Sequence, residues 1–368
     1  MITETAESAL SKLHEAAARA SLKLDCVGNT ALLLRRLRVL LVSRNTSAAA
    51  PTSPWLRALC ADAERALGEG ETLLTGTGRV AYELPLILSA NAGVPIVVLQ
   101  KDDAAPVVQL PPDSLQLVLK GRVSDSARDA FLGEIARTAS RIAVRSGGNM
   151  ASLAETIAYR GGHVRFVCVA ENDPTPHERW PKRELASTFE PWPYLTHFTR
   201  AADETWPGES REDYLRWLSD PTSAQRNAFA TLCRILFEQR IRAAGRFIRG
   251  GVAMTCWTEL PPDRVAALRC WRKGLRRWNF TPYGIAIHRE AMAELGARQV
   301  RYDATDADPF AQSPRSGGYD WTAEREWRVA GDVDLSRVPK EKWMVLTATE
   351  LEAETIRRKT GCAARATE

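Results

Sequence analysis

The chain has 368 residues, with 50 Lys and Arg against 45 Asp and Glu, a formal charge of +5, 45% apolar residues and 26% charged residues. This composition excludes a disordered, collagenous or low-complexity chain, and at roughly 100–200 residues per domain it predicts two domains. A charge of +5 permits an anionic partner without demanding one.

The longest apolar run, 84–100, is broken by Asn91, Gly93 and Pro95 and falls short of the ~20 residues of a membrane helix. Glu4, Glu7 and Lys12 interrupt any secretory leader. Seven scattered cysteines without a C-x-x-C predict reduced thiols, no bound metal and a cytoplasmic location.

Residues 1–34 begin with an Ala-rich amphipathic helix over 3–24. From 35 to 170 short apolar runs alternate with helical segments. Strands are predicted at 37–42, 72–75, 95–99, 115–119, 142–144 and 164–169, and helices at 54–68, up to Ala92, 124–140 and up to Tyr159. That rhythm predicts an α/β Rossmann-like domain with a parallel sheet. The prolines at 174, 176, 181, 191 and 193 place a linker at 171–192. The remainder, 193–360, predicts an α+β domain with strands at 194–199, 252–257, 283–288, 298–302, 325–329 and 343–348. Helices are predicted there at 210–219, 222–240, 262–278 and 289–295. Ten of the eleven Trp residues lie after residue 179, so the halves differ in chemistry.

Two glycine turns in the first half each join a strand to a helix: Thr75-Gly76-Thr77-Gly78 and Ser146-Gly147-Gly148-Asn149. At the carboxyl edge of a parallel sheet such turns let backbone approach a ligand, and helix-start amides hold phosphate. Ser43, Asn45 and Thr46 follow the first strand of that domain and face the same crevice. The competing reading is that glycine only makes the turns tight. Neither turn is a Walker motif or a full G-x-G-x-x-G. The stretch Leu73–Leu99, with its strand, glycine turn, Glu83 and Gly93-Val94-Pro95 return, resembles the SLOG superfamily of DprA-like and LOG-like Rossmann domains. That resemblance implies a nucleotide or nucleic-acid ligand and a sensing role.

In the second half, His197 shares a strand face with Leu195 and Thr199, and Glu326 shares one with Arg328. A strand with His, a strand ending Trp257-Thr258-Glu259 and a late Glu324-Arg325-Glu326-Trp327-Arg328 element occur in that order. The series resembles the ADP-ribosyltransferase fold of DarT-like toxins and AbiGi-like abortive-infection effectors. The resemblance implies that NAD is bound and its nicotinamide–ribose bond broken. Glu326 then stabilises the oxocarbenium charge, His197 holds ribose hydroxyls and Tyr283 stacks on nicotinamide. Thr199, Trp257, Thr258 and Tyr302 complete the cofactor pocket, and Glu324 replaces Glu326 if the strand register is shifted. The expected function is an NAD-dependent ADP-ribosyltransferase-like effector with a nucleotide- or nucleic-acid-sensing first domain. The alternatives are an NAD glycohydrolase and a non-catalytic nucleotide or nucleic-acid binding protein.

The predicted helix 262–278 places Arg269, Arg272, Lys273 and Arg276 on one face at i, i+3, i+4, i+7 spacing, with Trp271 and Trp278 nearby. Such a face tracks phosphates of nucleic acid or of NAD, and Arg242, Arg246 and Arg249 extend it. A solvated helix anchored by its Trp residues is the plainer alternative.

Overall fold

The computed structural model describes residues 5–43, 50–102, 104–167, 179–180, 182–184, 189–202, 204–272, 277–302, 308–316 and 318–368. Asn45, Thr46, Lys273 and Arg276 lie outside them. The chain divides into two compact units. The first comprises Met1–Pro174 and Glu209–Ala224, the second Thr175–Gly208 and Gln225–Glu368.

The first unit is built from α1 (Ala6–Arg19), β1 (Lys23–Gly28), β2 (Leu37–Val42), α2 (Pro54–Gly68), β3 (Thr72–Gly76), α3 (Val80–Ala92), β4 (Val97–Lys101) and β5 (Leu115–Lys120). It continues with α4 (Asp125–Ile135), β6 (Thr138–Ala143), α5 (Asn149–Tyr159) and β7 (His163–Phe166). The sheet order is β1-β5-β4-β3-β2-β6-β7. Only β1 runs antiparallel, against β5; the other pairs are parallel. β2 and β3 are buried at every position because helices cover both faces. This is the Rossmann-like arrangement. The predicted first helix ends at Arg19, where Ser21 takes a φ of 57° and the chain enters the edge strand β1, which periodicity does not reveal. The predicted helix 124–140 stops at Ile135, because 138–143 is drawn into the sheet beside β2.

The segment 209–224 belongs to this first unit. It carries α6 (Arg211–Ser219), capped by Ser210, which accepts the Asp213 N–H. Tyr214, Leu215 and Leu218 are fully buried among side chains of α2 and α3, including Leu56, Leu59, Leu84 and Ile87. Arg57 of α2 donates to the carbonyls of Leu218 and Ser219 at 3.2 and 3.1 Å. A helix predicted within the second domain therefore completes the core of the first.

The second unit contains β8 (Tyr194–Phe198), α7 (Ala228–Glu238), β9 (Arg240–Ile241), β10 (Met254–Thr258), α8 (Pro262–Leu268), β11 (Trp271–Arg272), β12 (Arg277–Trp278) and β13 (Gly284–His288). It continues with α9 (Arg289–Glu294), β14 (Arg298–Gln299), β15 (Arg315–Ser316), β16 (Tyr319–Asp320), β17 (Glu326–Ala330), β18 (Val333–Asp334), β19 (Trp343–Thr347), α10 (Glu350–Thr360) and β20 (Ala364–Ala366). Its sheet runs β14-β17-β10-β8-β13-β19-β20, antiparallel except for β19 with β20.

The predicted helix 262–278 is corrected here. Among its described residues only Pro262–Leu268 is helical; Trp271 then pairs with Trp278 and Arg272 with Arg277 across a two-stranded ribbon. The side chain of Asn279 accepts the Cys270 N–H at 2.8 Å and the Asn279 N–H returns to the Cys270 carbonyl, which closes the ribbon. Spacing of seven, which reads as one helix face, is here a cross-strand pair with ring centroids 5.8 Å apart.

Candidate functional site

The first sheet reverses its direction of growth between β2 and β6. The chain proceeds from β2 towards β3 on one side and from β6 towards β7 on the other, which makes the carboxyl ends of β2 and β6 the topological switch point where ligands bind in open α/β sheets. Ser43, directly after β2, accepts the Arg145 N–H on its Oγ at 2.8 Å. Gly147 turns the chain at a φ of 67°, and Gly148 stands at the N-cap of α5 with no side chain capping the helix. The first turn of any helix leaves N–H groups without intrahelical partners, carrying partial positive charge. A Cβ built on Gly148 would lie 4.0 Å from Arg145 Nε. The Arg145 side chain is exposed and forms no ion pair among the described residues. Ser146, Gly147, Gly148 and Asn149 thus converge with Arg145 and Ser43 on one solvent-facing, cationic helix start.

The other glycine turn is filled from within. Glu83, on the first turn of α3, accepts the Gly78 N–H at 3.0 Å through one oxygen. Its other oxygen accepts Arg211 Nε and NH2 from α6 at 2.9 and 2.6 Å. Arg128 donates to the Thr77 carbonyl and to Asp129, and Tyr82 hydroxyl donates to Asp129 at 3.1 Å. Burial and the Asp129 charge push the Tyr82 phenol well above its ordinary range. The backbone approaches closely at Gly76, where a Cβ would come within 3.3 Å of both the Leu99 carbonyl and the Tyr82 ring. Gly76 and Gly78 are held in a tight internal network, with the protein's own carboxylate on the Gly78 amide.

In the second unit, register decides which candidate residues share a face. Thr258 lies opposite both Thr196 and Glu326, so these three share one face with Cys256 and Arg328. Trp257 lies opposite Trp327 on the other face, where the His197 ring is 5.5 Å from that of Trp257. His197 Nδ1 bonds the Cys256 carbonyl at 2.8 Å. His197 keeps some surface wet, yet the protein mass around it lowers its imidazole to about 4, with the Arg200 charge adding to that. No hydrogen bond or ion pair joins His197 to Glu326 among the described residues.

Glu326 is held by Arg328 through both oxygens, at 2.9 and 3.1 Å. Its backbone N–H donates to Tyr302 hydroxyl at 3.0 Å. Burial, reinforced by Glu326, pushes the Cys256 thiol up to about 12. Burial likewise lifts Tyr302 to about 12. Glu324 is different. Burial, with the nearby Glu326 charge, raises its carboxyl above the ordinary range, opposed by the Tyr319 hydroxyl bond at 2.8 Å and the Arg200 charge. Arg200 is tied to the Asn279 carbonyl, whose side-chain amide donates to Tyr319 hydroxyl at 3.0 Å.

Tyr283 lies in the core. Its ring packs on Trp180 and Phe229 and its hydroxyl donates to Glu352 at 3.0 Å, so it presents no open face for stacking. Thr199 is buried and donates to the Ala228 carbonyl at 2.8 Å. Thr258 hydroxyl donates to the Glu324 carbonyl at 2.6 Å. Arg269, placed by the sequence on a cationic surface, is buried and ion-paired with Glu368. Arg272 lies 3.9 Å over the Tyr319 ring. Burial draws Arg269 inward because Glu368 supplies its counter-charge, which no local pattern announces.

Sequence patterning alone does not single out Arg145, Arg200 or Arg211. Arg145 had a signal, a cation directly before a glycine turn; Arg200 and Arg211 act on residues distant in the chain. Among the described residues no group of three or more His, Cys, Asp and Glu side chains is arranged to hold a metal, and no helix is long and apolar enough to cross a membrane.

No protein-family model matches the chain, and no curated protein does. Solved structures are similar over about two fifths of the chain. DNA processing protein A (DprA) of Streptococcus pneumoniae is 15% identical with a TM-score of 0.32, over 39% of this chain and 54% of that one, so the match spans about half that protein's length. DprA of Helicobacter pylori, described for its single-stranded DNA binding mode, is 17% identical with a TM-score of 0.32, over 41% and 75%. The molybdenum cofactor carrier protein of Chlamydomonas reinhardtii is 12% identical with a TM-score of 0.28, over 36% and 76%.

Proposed function

We propose that the protein binds a phosphate-bearing ligand of the nucleotide class, a nucleotide or a nucleic-acid strand, at the crevice where β2 and β6 diverge. The observation that carries this reading is the uncapped start of α5 beside exposed Arg145, at the sheet's switch point. The glycine turn lets ligand oxygen reach backbone N–H groups, and Arg145 supplies a guanidinium for bidentate contact. The test is binding of ATP and of a short single-stranded oligonucleotide by the full chain, measured by fluorescence titration. Arg145→Glu weakens at least one of the two about tenfold or more, in line with the loss of a charge-assisted bond. Unchanged affinity for both, or no binding by the wild type, overturns the reading.

A second reading is ADP-ribosyl transfer, or NAD hydrolysis, by the second unit. Glu324 favours it: a carboxyl with a raised pKa, hydrogen-bonded by Tyr319 and flanked by Arg200 and Glu326, has the character of a working acid or base. Glu326, bound through both oxygens to Arg328, is the less available of the two. Nicotinamide release from NAD by the wild type, lost in Glu324→Gln, supports this reading; no release from the wild type removes it.

A further inference from the structure

The cationic surface that the sequence placed on residues 269–276 has a counterpart elsewhere in the second unit. The loop after β9 folds back on itself: Ala244 bridges to Met254, and the Ile248 N–H bonds the Gly245 carbonyl at 3.0 Å. Gly245 is obligatory there, because a Cβ would meet the Gly251 carbonyl oxygen at 2.1 Å. This tight base holds Phe247 outward, 45% exposed. The guanidinium carbons of Arg246 and Arg277 lie 5.0 and 4.4 Å from the centre of its ring. Alongside, Trp206 is flanked in the same way by Arg226 and Arg234 at 4.3 and 4.6 Å. The two groups adjoin: Glu204, two residues before Trp206, pairs with Arg246 at 2.5 Å, and Gly208 lies against Arg242. Acidic residues here are fewer than the arginines, with Glu238 shared between Arg234 and Arg242.

We propose that the Phe247 loop, with Arg246, Arg277 and the adjoining Trp206–Arg234–Arg242 surface, is a contact surface for single-stranded nucleic acid. A half-exposed ring with guanidinium groups lying over it offers a base a mixed ring and guanidinium stacking surface and its phosphates cationic partners. An acidic peptide would use the charges and leave the ring idle, which is why a nucleic-acid strand is the better match. This proposal does not depend on the α5 reading.

The test uses the full chain and a labelled single-stranded oligonucleotide of about 20 nucleotides, titrated at several salt concentrations. Phe247→Ala weakens binding about 5- to 100-fold, the range for loss of one base–aromatic stack. Phe247→Tyr, which keeps the ring, holds near wild-type affinity and shows that the loop still folds. Arg246→Gln lowers the slope of log affinity against log salt by about 1. Wild-type affinity in Phe247→Ala overturns the proposal. So does polyglutamate that displaces the oligonucleotide as well as unlabelled oligonucleotide does. A loss in Arg145→Glu with Phe247→Ala unaffected would leave the α5 crevice standing and this surface refuted.

Discussion

The two glycine turns of the first sheet are alike in sequence and opposite in state. After β3, the Gly78 N–H is taken by Glu83, and Glu83 is in turn held by Arg211. After β6, Gly148 starts a helix that no side chain caps, with the Arg145 guanidinium exposed beside it. A glycine turn at a strand's carboxyl end is therefore an offer of backbone donors. Whether the offer is open depends on what a distant residue does with it. In the first turn the counter-charge comes from α6, contributed from 128 positions along the chain. The second unit repeats the lesson: Glu326 is engaged on both oxygens by Arg328, while Glu324 is held by a neutral hydroxyl.

The sharpest way to break the contrast is Arg211→Ala. It strips the buried Glu83 carboxylate of its cation, and removing one partner of a buried pair costs about 3 kcal/mol. Urea unfolding reads this directly. A loss below about 1 kcal/mol would mean that Glu83 is satisfied without α6.

A mid-sized effect is expected at His197 in the second unit. Its folded pKa, about 4, lies below the ordinary 6.5, so the folded state resists protonation while the unfolded chain accepts it. The associated stability is fully present above about 6.5 and is lost as pH falls towards 4. The loss comes to about 2 kcal/mol, discounted from the full shift because the ring keeps some wet surface. Melting curves of wild type and His197→Gln between pH 7.5 and about 4.5 check it. Parallel pH dependence in the two proteins would contradict the buried, neutral imidazole.

The smallest effect sharpens the comparison at the open turn. Ser43→Ala removes the acceptor of the Arg145 N–H and costs about 1 kcal/mol or less, since this bond is near solvent. Because it loosens the turn without removing its charge, phosphate-ligand affinity falls less than in Arg145→Glu. An equal fall in both variants would assign the binding to the turn's shape alone.

Much of the first unit was legible in the residues. The runs 37–42 and 72–76 are short and buried at every position, the helix 54–68 matches its predicted span, and the helix 80–92 ends where predicted. The reason is that central parallel strands are buried on both faces and so appear as continuous apolar runs. The candidate site was half legible: Ser146–Asn149 could be found from the glycines, because positive φ and close approach leave a compositional mark. Arg269 could not, since its burial depends on Glu368 at the far end of the chain.

The sequence by itself determined the alternation of strand and helix, the division of chemistry between the halves and the two glycine turns, because each of these is a local property of spacing and backbone freedom. Tertiary structure alone decided which unit 209–224 completes, whether 262–278 is a helix or a ribbon, and which glycine turn is filled. Those outcomes turn on side-chain partners, among them Arg211 on Glu83 and Asn279 on Cys270, as the burial of Arg269 turns on Glu368, and such pairings have no period for a sequence to display.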